Sequence, residues 1–450
     1  MGGLLWNIGA FIVALGLLVA VHEFGHFWVA RRCGVKVERF SIGFGKAIWR
    51  RVGKDGTEYV LALIPLGGYV KMLDGRVDEL QPGDERHAFN HKSVWARMAI
   101  VAAGPMANFV FALFAFWLMF MIGVPSVKPV ISEVRPASIV AEAGVLPGME
   151  IVGVGDEATG DWEAVTYALI SHLGDDSVQL KLKATDTSYA VDKTLELKGW
   201  KFDPDKESPI GSLGIVPLGG KVLPVVAAIV PKSASEKAGL QLGDRIKRVG
   251  DHEITEWTQF VEQVQQSPEQ PLQVMVERGG NELTLTLLPD AKKIRGQLVG
   301  FVGLSPQLVP LPDEYRVLLQ YGPLQALWHG AQKTWSLITL TFDMIGKLIG
   351  GIVSLDNLSG PISIAKGAGS SADYGLVYFL GFLALISVNL GIINLFPLPV
   401  LDGGHLVYFL IEAVTGKPVP EKIQEVGFRI GAAILMLLMG IALFNDFARL

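Results

Sequence analysis

The chain has 450 residues, with 39 basic against 44 acidic side chains, a formal net charge of −5, 18% charged residues and 50% hydrophobic ones. That charge fraction lies below the roughly 25% of soluble domains and points to a membrane protein; the lack of a basic excess argues against a nucleic-acid partner, and the apolar content excludes a wholly disordered chain. A single cysteine, Cys33, leaves no intrachain disulfide and no Cys-rich zinc module, so any metal must be held by His or carboxylate side chains.

Charge is segregated along the chain. Residues 1–21 carry no Asp, Glu, Lys or Arg, and neither do 98–127, 374–401 or 430–445. A bilayer span takes about 20 mostly apolar residues, so four transmembrane helices are predicted, the last one with its flanks. The first run has no basic residue before it and no small-residue cleavage site before His22, so it reads as a retained helix, not a signal peptide. In chain order the predicted units are a first span over 1–30, a loop over 31–97, a second span over 98–124, and two repeated domains over 126–218 and 222–309. An amphipathic helical segment over 318–372, a third span over 373–401, a loop over 402–425 and a fourth span over 426–447 complete the chain. Between Phe27 and Arg97 stand 13 basic and 8 acidic residues, which by the positive-inside rule puts that loop in the cytoplasm. Four spans then put both termini outside, together with the block over 128–333, which holds 20 basic and 27 acidic residues. In a bacterial inner membrane that side is the periplasm.

The first predicted span ends on His22-Glu23-Phe24-Gly25-His26. Residues i and i+4 share a helical face, so both imidazoles can reach one cation while Glu23 meets a water bound to it. Ionisable groups inside a bilayer cost several kcal/mol and are rarely kept without a partner or a function, and a glycine in a helix interior costs about 1 kcal/mol and needs a packing reason.

The outer block contains a duplication. Ala143, Gly144, Gly148, Ile151, Val154, Gly155, Asp156 and Trp162 recur 95 residues later as Ala238, Gly239, Gly243, Ile246, Val249, Gly250, Asp251 and Trp257. Apolar strands between Gly-Asp turns suit a small β-rich domain with one or two helices. The pattern resembles bacterial PDZ domains, which implies peptide binding by strand addition and capture of a C-terminal carboxylate. The loops for that role are Leu213-Gly214-Ile215 and Val302-Gly303-Leu304; the alternative is that the two domains act only as spacers or steric filters. The segment that follows alternates His329, Gln332, Ser336, Asp343 and Lys347 with apolar residues at helical spacing. Its charges come too early for a span, so it either lies on the outer membrane surface or packs beside the spans.

A catalytic zinc takes three protein ligands and keeps a fourth position for water. The stretch from Asn389 through Asn394, Pro397 and Pro399 to Asp402-Gly403-Gly404-His405 puts further ligands at the end of a span. Proline breaks a helix interior, and unwound backbone at membrane depth is tolerated where it lines a site. Asp402 is the expected third ligand and His405 its rival.

His-Glu-(x2)-His in a first span, with Asn-(x2)-Pro-(x)-Pro-(x2)-Asp-Gly in a later one, resembles the site-2 protease family of intramembrane zinc metalloproteases. The likeness extends to Gly104-Pro105-(x2)-Asn108, Ser359-Gly360-Pro361 and the glycine-rich run at Gly67-Gly68-Tyr69. It implies one Zn2+ per chain bound by His22, His26 and Asp402, with Glu23 as general base. It also implies that Asn389, Asn394, Gly67, Gly68 and Tyr69 hold the substrate strand, and that the loop after span one dips into the membrane as a β-hairpin; alternation over residues 59–72 is compatible with that. The implied substrates are single-span proteins already clipped outside, of the anti-sigma-factor type, and remnant signal peptides. The fold class is therefore a polytopic α-helical membrane protein with two tandem extracytoplasmic PDZ domains and a membrane-associated β-hairpin. The competing reading is a non-catalytic, PDZ-bearing membrane sensor or adaptor.

Overall fold

A computed structural model describes residues 2–184, 187, 189–202, 207–294, 297–351, 353 and 358–448. The chain divides into two compact units, one built from the residues up to Pro125 together with Leu318–Phe447, the other from Ser126–Val317. In chain order the first unit begins with α1 (Gly2–Arg32), the strands β1 (Val37–Val52) and β2 (Glu58–Met72), and α2 (Val94–Ile122). The second unit carries α3 (Trp162–Ser171) and α4 (Trp257–Gln265) among short strands. The first unit resumes with α5 (Pro323–Ile349), α6 (Pro361–Asp373), α7 (Leu376–Leu395), α8 (Asp402–Thr415) and α9 (Glu421–Ala448). Among the described residues four helices, α1, α2, α7 and α9, are long and apolar enough to cross a membrane.

Small residues bring these helices together. A Cβ on Gly25 of α1 would strike the Ala103 carbonyl and lie 2.8 Å from Ala107 Cβ, so α1 and α2 touch nearly backbone to backbone there. Helix α5 lies along α2 through Ala326, Gly330, Thr334 and Leu337, which are buried at helical spacing. A Cβ on Gly330 would sit 3.1 Å from the Trp117 nitrogen. Without a hydrophobic drive between helices in lipid, such small-residue stripes permit close van der Waals packing. The opposite face of α5 exposes Trp328, Trp335, Phe342 and Ile349 at seven-residue spacing. Of the two placements open to this segment, packing beside a span is the one observed.

Two expected boundaries change. The loop expected over 402–425 begins with the helix α8, because Leu406, Phe409 and Leu410 continue a helical apolar pattern until Gly416 closes it with φ 71°. The third span stops at Leu395, and residues 396–401 are not helical. Helix α6 is held by α9. The Asp446 carboxylate accepts from the backbone N–H groups of Gly360, Ile362 and Ser363 and from the Ser363 hydroxyl, and the Asn445 amide donates to the Leu358 carbonyl. A carboxylate at a helix start satisfies donors that have no partner within the helix.

β1 and β2 each bend back on themselves. Phe40, Ser41 and Ile42 pair with Val70, Tyr69 and Gly68 on one side and with Tyr59, Val60 and Leu61 on the other. Ala47, Trp49 and Arg50 pair in turn with Ala62, Leu61 and Val60. The spatial order is thus 47–52, 58–62, 37–42 and 68–72, and the segment 68–72 is paired on one side only among the described residues.

In the second unit the duplication is carried by the fold. Strands Met149–Val154, Glu157–Ala158, Ser177–Ala184 and Ala190–Glu196 surround α3, as Arg245–Val249, His252–Glu253, Leu272–Arg278 and Asn281–Leu287 surround α4. The match extends to single contacts: Gly214 closes on Ser138 and Gly303 on Ser233, and the two serines are again 95 residues apart. Both glycines have positive φ, 93° and 68°, a conformation that favours glycine.

Candidate active site

The site is built where the C-terminal half of α1 and the N-terminal half of α2 meet the start of α8. Helical spacing stacks His22 and His26 on one face of α1, their ring centroids 4.8 Å apart. Asp402 is the first residue of α8. Pro397 and Pro399 keep the chain from continuing α7, and the link turns sharply, with the Leu398 N–H donating to the Phe396 carbonyl and the Leu401 N–H to that of Leu398. Gly403 and Gly404 allow α8 to start against this turn: a Cβ on either would collide with the carbonyls of Leu395 or Leu398. The far end of α8 is fixed by Arg97, which pairs with Glu412 at 2.6 Å and lies 4.9 Å over the Phe409 ring.

The result is a triangle of donor atoms. His22 Nε2 and His26 Nε2 are 3.2 Å apart, and Asp402 Oδ2 lies 3.2 Å from the first and 3.4 Å from the second. Neighbouring ligands around a tetrahedral zinc with bonds of roughly 2.0–2.1 Å are separated by about 3.3–3.4 Å. Asp402 Oδ2 is moreover buried without a well-formed hydrogen bond, a costly position for a charged oxygen unless a cation meets it. His26 Nδ1 lies 2.9 Å from the Ile100 carbonyl, which can only accept; that nitrogen carries the proton and Nε2 presents a lone pair. The donor set and its spacing therefore fit zinc. Among the described residues this is the one cluster of three His, Cys, Asp or Glu side chains suited to a metal. His405, one turn further along α8, is exposed and stands outside it.

Glu23 is half-buried beside the triangle and within electrostatic reach of all three of its side chains. It abuts β2: a Cβ on Gly68 would lie 2.8 Å from Glu23 Cγ and 2.7 Å from the Ser41 carbonyl. The open strand edge over 68–72 thus passes directly beside this carboxylate. Gly67 packs under the Phe44 ring, which stacks on Tyr69 at 6.3 Å, and the Tyr69 hydroxyl accepts from Arg39 at 3.1 Å. The Asn389 side-chain amide lies 3.0 Å from the Thr341 hydroxyl of α5, a contact the sequence pattern does not announce, while Asn394 is half-buried. The two glycine loops, Leu213-Gly214-Ile215 and Val302-Gly303-Leu304, belong to the second unit and each leads into a strand.

The family model for "Peptidase family M50" matches residues 10–438. The chain belongs to peptidase family M50. As an M50 peptidase it is similar over its full length to curated relatives. It is 57% identical over 446 residues to the regulator of sigma-E protease RseP of Escherichia coli K12, covering 99% of each chain. Against the protein of the same name in Salmonella typhimurium the identity is 56% over 450 residues, with both chains fully covered. A protein of Vibrio cholerae named as a zinc metalloprotease is 55% identical over 452 residues, again with full coverage of both. This M50 peptidase is accordingly a zinc metalloprotease that cleaves within the membrane, and a protein of the bacterial inner membrane.

Ile100 was not foreseen, and Gly104 and Asn108 were singled out in the sequence only as motif residues, without a role at the site. Ile100, Gly104 and Asn108 of α2 all face the histidines: the first through its carbonyl, the second because a Cβ there would strike His26 and lie 2.9 Å from His22 Cε1, the third through an amide 3.1 Å from His22 Nδ1. Their four-residue spacing matches that of the two histidines, and that was the available signal.

Proposed function

We propose that His22, His26 and Asp402 are the zinc ligands of this peptidase and Glu23 its general base. The observation that carries the assignment is the triangle of two imidazole nitrogens and one unpartnered carboxylate oxygen with edges of 3.2–3.4 Å. Zinc held by His22, His26 and Asp402 would supply the Lewis acidity that acidifies a water and polarises the scissile carbonyl. Glu23 takes the proton of that water and returns it to the leaving amine. A substrate helix hides its carbonyls in its own hydrogen bonds, so it must unwind first. The open edge over 68–72 offers it replacement backbone partners next to Glu23, the mode of strand addition. Asn389, whose side-chain amide lies 3.0 Å from the Thr341 hydroxyl, and Asn394, five residues further along α7, are the side chains read as holding the substrate strand. Exposed Phe44, Ile48, Trp49, Leu61, Leu63 and Ile64 suit a β-hairpin region that enters the membrane.

The duplicated domains, over 126–218 and 222–309, are read as tandem PDZ domains on the periplasmic side, as are both termini; the acidic outer block and the basic loop after α1 support that orientation. Relatives named as regulators of sigma E make single-span anti-sigma-factor proteins, clipped outside beforehand, the expected substrates, with remnant signal peptides as a second class. The PDZ pair admits only such trimmed chains or binds their new C-termini at Leu213-Gly214-Ile215 and Val302-Gly303-Leu304. In a Glu23→Gln chain zinc content should be unchanged while cleavage of a single-span substrate falls at least about 10²–10⁴-fold. Cleavage at the wild-type rate would remove Glu23 from the mechanism.

A further inference from the structure

Asn108 is buried in α2 with none of its surface exposed, and its amide lies 3.1 Å from His22 Nδ1. As placed, Nδ2 faces that nitrogen while Oδ1 is buried without a partner. The two ends of a carboxamide are interchangeable in shape, and which one faces a neighbour is decided by chemistry. Were Nδ2 the donor, Nδ1 would be the acceptor and the proton of His22 would sit on Nε2, pointing into the triangle of donor atoms where a metal needs a lone pair. With Oδ1 toward the ring, Nδ1 donates and Nε2 is free.

We propose that Asn108 is a positioning residue of the metal site: its amide oxygen accepts the Nδ1 proton of His22 and thereby commits Nε2 to zinc. The inference rests on the reading of His22 as a ligand. A second observation supports it independently. His26 has the matching arrangement, its Nδ1 donating to the Ile100 carbonyl at 2.9 Å. Ile100, Gly104 and Asn108 follow one another at four-residue spacing, so one face of α2 supplies an acceptor for His26, a gap for both rings and an acceptor for His22. The backbone at Asn108 is itself anchored, since its main-chain carbonyl accepts from the Ser387 hydroxyl of α7 at 2.8 Å. Metal-bound histidines commonly donate their second N–H to such a partner, which fixes the tautomer and the ring plane.

The test is zinc affinity of the purified full-length protein by chelator competition, with no substrate present. Asn108→Leu removes the acceptor and should weaken zinc binding about 10–100-fold, the usual effect of losing such a partner. Asn108→Asp keeps the shape, can only accept, and should bind zinc within a few-fold of wild type. A structural or donor role would instead make the Asp variant as weak as the Leu variant, or weaker. If Asn108→Leu fails to fold, Asn108→Asp decides alone: retained affinity supports the proposal and a tenfold loss overturns it. His22→Phe separates the layers. Wild-type affinity in that variant would overturn the ligand reading itself; loss of zinc there with no loss in Asn108→Leu would overturn only the role of Asn108.

Discussion

A methyl group added at Gly104 tests the arrangement of the metal site most directly. Its Cβ would stand 2.6 Å from His26 Cε1 and 2.9 Å from His22 Cε1, and closer still to His26 Nε2. Carbon atoms pack at about 3.5–4.0 Å, so both rings must retreat by about 1 Å. Zinc ligation tolerates displacements of only about 0.2 Å, and misplacement of about 1 Å at a reacting centre costs on the order of 10²-fold in rate. The helix itself gains about 1 kcal/mol of propensity from the alanine, against roughly 1–3 kcal/mol for overpacking. Gly104→Ala is therefore expected to remain folded, to bind zinc at least tenfold more weakly in a chelator competition, and to lose about 10²-fold or more in cleavage of a single-span substrate. Gly16→Ala, in α1 with nothing within 4 Å of the added carbon, is the matched control. Wild-type zinc affinity in Gly104→Ala would show that the histidines do not sit against α2 as described.

Three further outcomes follow from other contacts. Asp402→Ala should abolish stoichiometric zinc while His405→Ala keeps it, read by metal analysis of the purified chains; the reverse result would exchange their roles. Asp446→Ala leaves the start of α6 without its acceptor, and the loss of hydrogen bonds to a buried carboxylate should cost about 2–4 kcal/mol, seen as a lower thermal midpoint in detergent; an unchanged midpoint would show that the contact is not formed. In the second unit burial pushes the Asp244 carboxyl up, but Arg278, which holds it by two hydrogen bonds of 2.7 Å, and the Gln241 N–H outweigh this and keep its pKa below the usual carboxylate range. A depressed folded pKa stabilises fully above the unfolded value of about 4 and is lost as pH falls through the folded one. Hydrogen-exchange protection factors in strands Arg245–Val249 and Leu272–Arg278, taken relative to the intrinsic rate at each pH, should accordingly fall on acidification below about pH 4 more steeply in wild type than in Asp244→Asn; parallel profiles would refute the linkage.

Most of what could be read along the chain alone is set by local pattern. Charge-free runs give four spans because the bilayer has a fixed thickness, and His22 and His26 share a face because a helix repeats every 3.6 residues. The 95-residue duplication was visible for a different reason, because two copies of one domain keep the same residues in register, and it reappears in matched pairs such as Gly214 with Ser138 and Gly303 with Ser233. The turn after Asn394 followed from Pro397 and Pro399. The tertiary structure decided what depends on packing between distant segments. It brings Asp402 within 3.4 Å of both imidazoles across almost the whole chain, makes α8 a helix where a loop was expected, and pairs β1 and β2 so that the edge over 68–72 lies beside Glu23. It ties Asn389 to Thr341, a partner no local pattern announces. It also gives Gly104 and Asn108 their place: on α2 alone they are a glycine and an amide in an apolar helix, and only the close crossing of α1, allowed by Gly25, turns that face into the support for two histidines.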